Sequence, residues 1–238
     1  MSLGWTHVMA YDDVRAMIAL ARDGTSLMSW RAEAAACSRL FEGSRRTTQL
    51  HYAGAILRTH GGAIHDAAFL GDVAASDAAT ARDLIYARYL ASVPLAVAVA
   101  REIFHPVARH GERTIQRGAV ERFLGEHIAA ASDATRTHSL SSIVTEFARA
   151  GVIHKPAARA TTIELTGRVP APLALAYLID DDLRERREAS DAWLVSASLA
   201  ATLFALTPSA MRAAIESLVV QGRLRRSYYA GEPRILAA

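Results

Sequence analysis

The sequence predicts a mainly α-helical fold. Alanine, leucine and arginine dominate it, strand-forming residues are sparse, and apolar residues recur mostly at spacings of three and four, the period of a helix with one buried face. About half of the 238 residues, 51%, are apolar. That is enough to bury a real core, so the chain is expected to fold unaided as one large domain or as two to three small ones.

Residues 1–75 read as an N-terminal helical bundle. "YDDVRAMIALARDG" sets Val14, Met17, Ile18 and Ala21 on one stripe and stops at Gly24. Thr25 is placed to cap a second helix carrying Leu27, Met28, Ala34 and Leu40 and ending at Gly43. Ser44 caps a third, "RRTTQLHYAGAILRTHGG", which ends at paired glycines. An acidic stretch from Asp66 to Asp83 leads into a long apolar segment, Leu84 to Phe104. Pro94 falls inside that segment, where it removes a backbone donor and crowds the preceding turn, so the segment is expected to bend or divide there.

The most apolar part, "YLASVPLAVAVA", lies between Arg88 and Arg101 and is shorter than the roughly 20 residues that a membrane-crossing helix needs. The start, "MSLGWTHVMAYDD", has neither a basic opening nor a long apolar run, so a cytoplasmic protein with no membrane partner is expected. Cys37 is the single cysteine, which excludes an intramolecular disulfide and a multi-cysteine zinc site.

Residues 76–175 are expected to hold this helical segment and a first winged-helix-like unit. The order is helix "TIQRGAVERFLGEHI", polar break "AAASDATRT", helix "HSLSSIVTEFARAG", then the extended pieces "VIH" and "ATTIEL" around the turn "KPAAR". Thr137 is read as the cap of the second helix and Gly151 as its left-handed stop. Helical spacing sets Leu140, Ile143, Val144 and Phe147 on one face and Ser139, Ser142, Glu146 and Arg149 on the other. Residues 176–238 repeat the plan. "SDAWLVSASLAATLFAL" reads as one helix; Thr207 caps the next, with Pro208 at its first position and Met211, Ile215, Leu218 and Val219 on its buried face. Gly222 stops it before the hairpin "RLRRSYYAGEPRIL", in which Pro233 marks an edge strand. The predicted architecture is therefore an N-terminal bundle followed by winged helix-turn-helix-like units with short β-hairpins.

Of the 27 basic residues only Lys155 is a lysine, a bias that suits bidentate binding of phosphate or carboxylate and that codon usage also produces. Basic and acidic zones alternate along the chain. Arginine gathers in Arg39–His60, Arg136–Pro170 and from Thr207 onward, and acid in Asp66–Asp83 and Asp180–Asp191. In the last hairpin Arg223, Arg225 and Tyr229 alternate to one side of a strand, a surface suited to a phosphate backbone. A solvated hairpin whose arginines discourage strand-to-strand aggregation has the same pattern. The expected partner is double-stranded DNA, bound without strong sequence preference. The candidate contacts are Arg45, Arg46, Ser139, Ser142, Arg149, Lys155, Arg159, Arg212, Arg223, Arg225, Arg226 and Tyr229, with Ser209 and Glu216 beside Arg212 on the second recognition helix. Two other readings stay open: a protein-interaction adaptor, and an RNA-binding bundle acting through Arg45, Arg46 and Arg58.

No enzyme is expected. The chain has no phosphate-binding Walker loop, dinucleotide glycine pattern, nucleophile elbow or kinase set. His105 with His110 and His60 with His65 stand five apart, not the three or four that align ligands on a helix. "DDDLRERRE" reads as a solvated face with Asp181–Arg184 and Asp182–Arg186 pairs. No cofactor, metal or catalytic residue is assigned.

From about Tyr11 to Leu165 the chain resembles the BrxA family, a small component of the BREX bacteriophage-defence systems of bacteria. The likeness lies in the short helix before "RDGTS", the helix start "GSRRTT", and "ARYLASVPLAVAVAREIF" followed by "TIQRGAVERFLGEH". It is strongest in "TRTHSLSSIVTEFARAGVI". The resemblance implies a mostly helical cytosolic protein of winged-helix character that interacts with DNA in a defence operon encoding a methyltransferase and ATPase components, other BREX subunits being possible partners. It carries over no catalytic residue.

Overall fold

The computed structural model describes residues 8–21, 27–36, 46–57, 67–229 and 232–237; the chain is mostly helical, with two small sheets among the described residues. In the first helix, α1 (Tyr11–Ala19), Val14, Met17 and Ile18 are buried, and Trp30 of α2 (Leu27–Ala36) donates its indole N–H to Met17 O at 2.9 Å. Both helices pack on α3 (Arg46–Leu57). The expected stops and caps at Gly24, Thr25, Gly43 and Ser44 lie outside the described residues, as do Cys37, His60 and His65.

After α4 (Ala67–Ala75), Asp77 caps α5 (Ala78–Ala91), its carboxylate accepting from Ala79 N and Thr80 N at 2.8 and 3.0 Å. Every α5 residue from Asp83 to Leu90 is buried, so α5 is the central helix, with α3, α4 and α10 (Pro172–Arg186) around it. A helix buried on all sides must satisfy its polar side chains internally. Arg88 donates from Nη1 to Ile56 O at 3.4 Å, and its guanidinium lies 4.0 Å from the Phe69 ring centroid and 5.0 Å from that of Tyr177.

Pro94 divides the apolar segment as expected. It starts α6 (Pro94–Val99), which runs through a π-helical turn, Ala100–Phe104, into α7 (His105–Arg109). This helix turns 94° from α5. Among the described residues no single helix is long and apolar enough to cross a membrane.

Two expectations for the next segment are corrected. Thr114 does not open a helix: Thr114–Gln116 form β1, and α8 begins at Arg117 (Arg117–His127). Ile115 is buried and pairs antiparallel with Ile163 of β2 (Thr162–Glu164), a use of β-branched residues that helical periodicity does not reveal. The following helix, α9 (Asp133–Arg149), is capped by Ser132, whose Oγ accepts from Thr135 N at 3.2 Å. Thr137 therefore lies inside it. Gly151 ends it with φ +74°, as expected, and Ile153 bridges to Leu165.

The last segment departs from the expectation at Ser198. After β3 (Ala189–Ser190), α11 (Asp191–Ala197) and α12 (Leu199–Leu203) are separate helices. Ser198 adopts an extended conformation between them, donates to Leu194 O and accepts from Ala201 N, so its side chain replaces the helical backbone bonds. The Asp181–Arg184 pair forms at 3.5 Å. Asp182 accepts from Leu199 N at 2.8 Å, and Arg186 stacks 4.0 Å over Trp193. Thr207 caps α13 (Pro208–Val220) as expected, with Met211, Ile215 and Leu218 buried and Val219 partly so. Gly222, at φ +69°, leads into β4 (Leu224–Tyr229), which pairs with β5 (Glu232–Ala237).

The strand order is β3-β5-β4, so Pro233 stands in the central strand and not on an edge. It is accommodated because β3 pairs only with Ile235 and Arg234, leaving Pro233 beyond its end. One hydrophobic cluster runs continuously from Met9 to Ile235.

Candidate nucleic-acid interface

Two segments build the same sequence of elements. In the first, β1, α8 and α9 are followed by Gly151 and an antiparallel return, Ile153 to Leu165. In the second, β3, α11, α12 and α13 are followed by Gly222 and the β4–β5 hairpin. In each, the strand ahead of the helices pairs with the last strand of the unit. Sequence reasoning found the helices, glycines and hairpins but not the leading strands, which are only three and two residues long.

The helical phase of α9 corrects two candidate contacts. Ser139 is fully buried and Ser142 nearly so, together with Leu140, Ile143, Glu146 and Phe147. Hence both faces named from the sequence point inward. On one side Phe147 packs edge-on against Phe104 at 4.9 Å; on the other Glu146 receives the N–H of Met9 at 2.9 Å. The exposed stripe is Ala134, Thr137, His138 and Ser141. This stripe runs one residue ahead of the Ser139–Ser142 face, and the Ser132 cap is the signal that brings Ala134 and Thr137 into the helix with it.

Arg149 is half exposed, but its Nη1 donates to Met9 O at 2.8 Å and to Glu146 Oε1 at 3.3 Å. It holds the N-terminal segment and does not present a free guanidinium. Lys155 and Arg159, on the turn between Ile153 and β2, are both exposed, and among the described residues neither enters an ion pair. Arg45 and Arg58 lie outside the described residues, and Arg46 opens α3.

In the second unit Ser209, Arg212, Ala213 and Glu216 form the exposed face of α13, as the sequence implied for the three polar ones. The ribbon is less cationic than its sequence. Arg226 donates from both terminal nitrogens to Glu216, at 2.7 and 3.1 Å, and reaches Asp191 at 3.2 Å. The hydrogen bond from Arg226 holds the Glu216 carboxyl below its ordinary range, and the same bond raises the guanidinium. Arg223 lies 3.8 Å from Asp72, which also accepts the Tyr177 hydroxyl at 2.8 Å. Arg225 is exposed with no ion pair among the described residues, and Tyr229 ends β4 opposite Glu232. Of the candidate contacts Arg223, Arg225 and Arg226, only Arg225 is therefore clear of carboxylates among the described residues, because α4 brings one to Arg223 and α11 and α13 bring theirs to Arg226.

Among the described residues no three histidine, cysteine or acidic side chains converge as a metal-binding group. His105 is buried, its Nε2 has no hydrogen-bond partner among those residues, and burial lowers its pKa to about 4.

No family model matches the chain, and no curated protein does. Among solved structures it is similar to crystal structures of SspB. One is 14% identical with a TM-score of 0.62, covering 98% of this chain and 82% of that one. A magnesium-ion-bound form is 15% identical with a TM-score of 0.63, covering 98% and 81%. At that identity the likeness is one of fold, and because it spans nearly the whole chain, the arrangement of the bundle and both units together is what the two proteins have in common.

Proposed function

We propose that this chain is a non-enzymatic accessory protein that binds duplex DNA, mainly through backbone phosphates, and that its units are winged helix-turn-helix modules. The observation that carries the reading is the exposed face of α9. Thr137, His138 and Ser141 lie on one stripe, and the adjoining turn carries Lys155 and Arg159, both clear of carboxylates among the described residues. In such modules the second helix enters the major groove while the flanking hairpin meets the backbone. Arg212 and Arg225 add exposed cations in the second unit. On the BrxA resemblance, the setting is a BREX defence operon in the cytoplasm.

The test is a gel-shift titration on a random-sequence duplex at about 50 and 200 mM salt. Binding is expected to weaken steeply with salt, and Lys155→Glu with Arg159→Glu to reduce the salt slope by about two counterions. Affinity that is indifferent to salt overturns the reading, and preference for RNA in competition moves the contact to the N-terminal bundle.

A second reading, a protein-interaction adaptor within the defence complex, is favoured by the second unit alone. There Arg226 and Arg223 are engaged by carboxylates, while Val220 and Tyr228 stand 86% and 72% exposed. Large exposed apolar and aromatic side chains mark protein contacts more often than phosphate contacts. Co-purification with neighbouring subunits without DNA retention distinguishes it.

A further inference from the structure

Val8, Met9 and Ala10 lead into α1 as a short strap whose backbone groups are taken up by side chains of two helices in alternation. Gln49 of α3 accepts the N–H of Ala10 at 2.8 Å and donates to Val8 O at 3.2 Å. The residue between them turns to α9, where Glu146 accepts the N–H of Met9 at 2.9 Å and Arg149 donates to Met9 O at 2.8 Å. This is the period of a strand between two neighbours, made without a strand on either side. Among the described residues its one backbone–backbone bond, from Val14 N to Ala10 O at 2.9 Å, belongs to the first turn of α1. The strap can therefore lift without breaking a sheet ladder or a helix, and what holds it is the buried Met9 side chain and this set of polar side chains.

One member of that set is poorly placed to carry a charge. The Glu146 side chain is 0% exposed. Its Oε1 takes the Met9 N–H and one Arg149 nitrogen at 3.3 Å, whereas Oε2 is buried with no hydrogen-bond partner among the described residues. Arg149 stands at the rim, its side chain 42% exposed, so solvent screens it. From α5, Tyr86 adds no compensating charge: burial first and the Glu146 charge second push its pKa up and keep it a neutral phenol, and Arg82 lies over the Tyr86 and Tyr11 rings at 5.8 and 5.6 Å. Gln49, on the α3 side, is neutral. A carboxylate held out of water with one oxygen unpaired favours its protonated form, and lifting Met9 away returns it to water. We propose that the Val8–Ala10 strap is a proton-controlled clasp, closed on α9 while Glu146 is protonated and opening locally, ahead of the rest of the fold, once Glu146 ionises. The closed form binds the proton more tightly than the open form, so rising pH favours opening. Opening frees Arg149 from Met9 O and uncovers the inner side of the helix whose outer stripe carries Thr137, His138 and Ser141. The clasp does not depend on what α9 binds.

The test is amide hydrogen exchange of the full chain at about pH 6, 7 and 8, read by NMR and corrected for the intrinsic rise of exchange with pH. The reference is the amide of Ile85, buried in the central helix. The opening measured at Met9 and Ala10 is expected to exceed that at Ile85 by about a hundredfold or more. With Glu146 at about 7 in the closed form and its ordinary 4.5 in the open one, it is expected to rise about tenfold from pH 6 to pH 8. Glu146→Gln, which keeps an acceptor for Met9 N, is expected to remove that rise. Gln49→Ala, which loosens the strap from the α3 side, is expected to raise the opening at every pH and to keep the rise. Equal opening at Met9 and Ile85 would make the event global and overturn the clasp. So would a Met9 opening that does not change with pH, a rise retained in Glu146→Gln, or a rise lost in Gln49→Ala. Where Glu146→Gln does not fold, the parent chain and Gln49→Ala decide the question by themselves.

Discussion

Met9 and Glu146, 137 positions apart, are joined by a hydrogen bond in which Met9 N donates to Glu146 Oε1 at 2.9 Å. The strand-like segment around it is held by side chains instead of a sheet. Arg149 Nη1 donates to Met9 O at 2.8 Å, Ala10 N donates to Gln49 Oε1 at 2.8 Å, and Gln49 Nε2 donates to Val8 O at 3.2 Å. The N-terminal segment is thereby clamped between α3 and α9.

Burial of Glu146 outweighs its bonds to Met9 and Arg149 and pushes its pKa up to about 7 from an ordinary 4.5. Between those values the folded chain holds a proton that the unfolded chain has released. The resulting stabilisation is complete below about pH 4.5 and is lost as pH rises through 7. It amounts to about 3 kcal/mol. Glu146→Gln keeps an acceptor for Met9 N and is expected to remove this contribution, read as the difference between the melting curves of the variant and the parent chain from pH 4.5 to 8. A variant that retains it would assign the proton to another group.

His105 acts in the opposite sense. Burial first, and the nearby Arg109 second, lower it from 6.5 to about 4, so the unfolded chain takes up its proton first. Its contribution is complete above about pH 6.5 and is lost as pH falls through 4. Its size is also about 3 kcal/mol. Between pH 4.5 and 6.5 the slopes of His105 and Glu146 oppose each other. His105→Phe is expected to unmask stability that falls with rising pH, and Glu146→Gln stability that rises. Melting temperatures for both variants at half-unit steps check the pair; parallel curves would contradict the assignment.

Gly151 and Gly222 both end a helix at positive φ, +74° and +69°. Alanine at either position costs about 1 kcal/mol of backbone strain. Their surroundings differ. A Cβ at Gly222 meets nothing within 4 Å, whereas one at Gly151 would lie 3.2 Å from Arg168 Nη1 and 3.3 Å from its Cδ. Arg168 is anchored by Asp83 and yields poorly. Gly151→Ala is therefore expected to be the more destabilising, by about a further 1 kcal/mol in urea denaturation. Equal losses would show that Arg168 moves aside freely.

These contrasts mark where the sequence is legible and where it is not. The stripe of Val14, Met17 and Ile18, the division at Pro94, the Thr207 cap and both glycine stops were readable because each depends on residues within one or two turns of chain. Ser139 and Ser142 were not. They look like an outer face only while α9 is considered alone; tertiary packing buries them, and Glu146 on the same side meets Met9, more than 130 residues away. Arg226 presents the same problem. Its sequence neighbours make it a candidate phosphate contact, but its charge is matched by Glu216 and Asp191, brought to it by tertiary packing. Thr137 joins His138 and Ser141 on one exposed stripe because the helix starts at Ser132, five residues before the cap read from the sequence.

The Arg168–Asp83 pair ties the exit of the first unit to the central helix, and its removal has a specific signature. Arg168 Nη2 donates to both oxygens of Asp83, at 2.8 and 2.6 Å, and Asp83 Oδ2 also accepts Ala171 N at 2.8 Å, just ahead of α10. The Asp83 side chain is 5% exposed and that of Arg168 40%, so solvent screens the arginine but not the acid. Arg168→Ala leaves the Asp83 carboxylate buried with the Ala171 N–H as its remaining bond among those described, and is expected to cost about 3 kcal/mol. Asp83→Asn keeps one oxygen that can accept from both Arg168 and Ala171 and leaves no buried charge, and should cost less. The Arg168→Ala change also removes the atoms that a Cβ at residue 151 would meet. In a double-mutant cycle Gly151→Ala is thus expected to cost no more than Gly222→Ala once Arg168 is alanine, a coupling of about 1 kcal/mol. Strict additivity in that cycle would separate the helix stop from the latch and show that Gly151 is required for its backbone conformation alone.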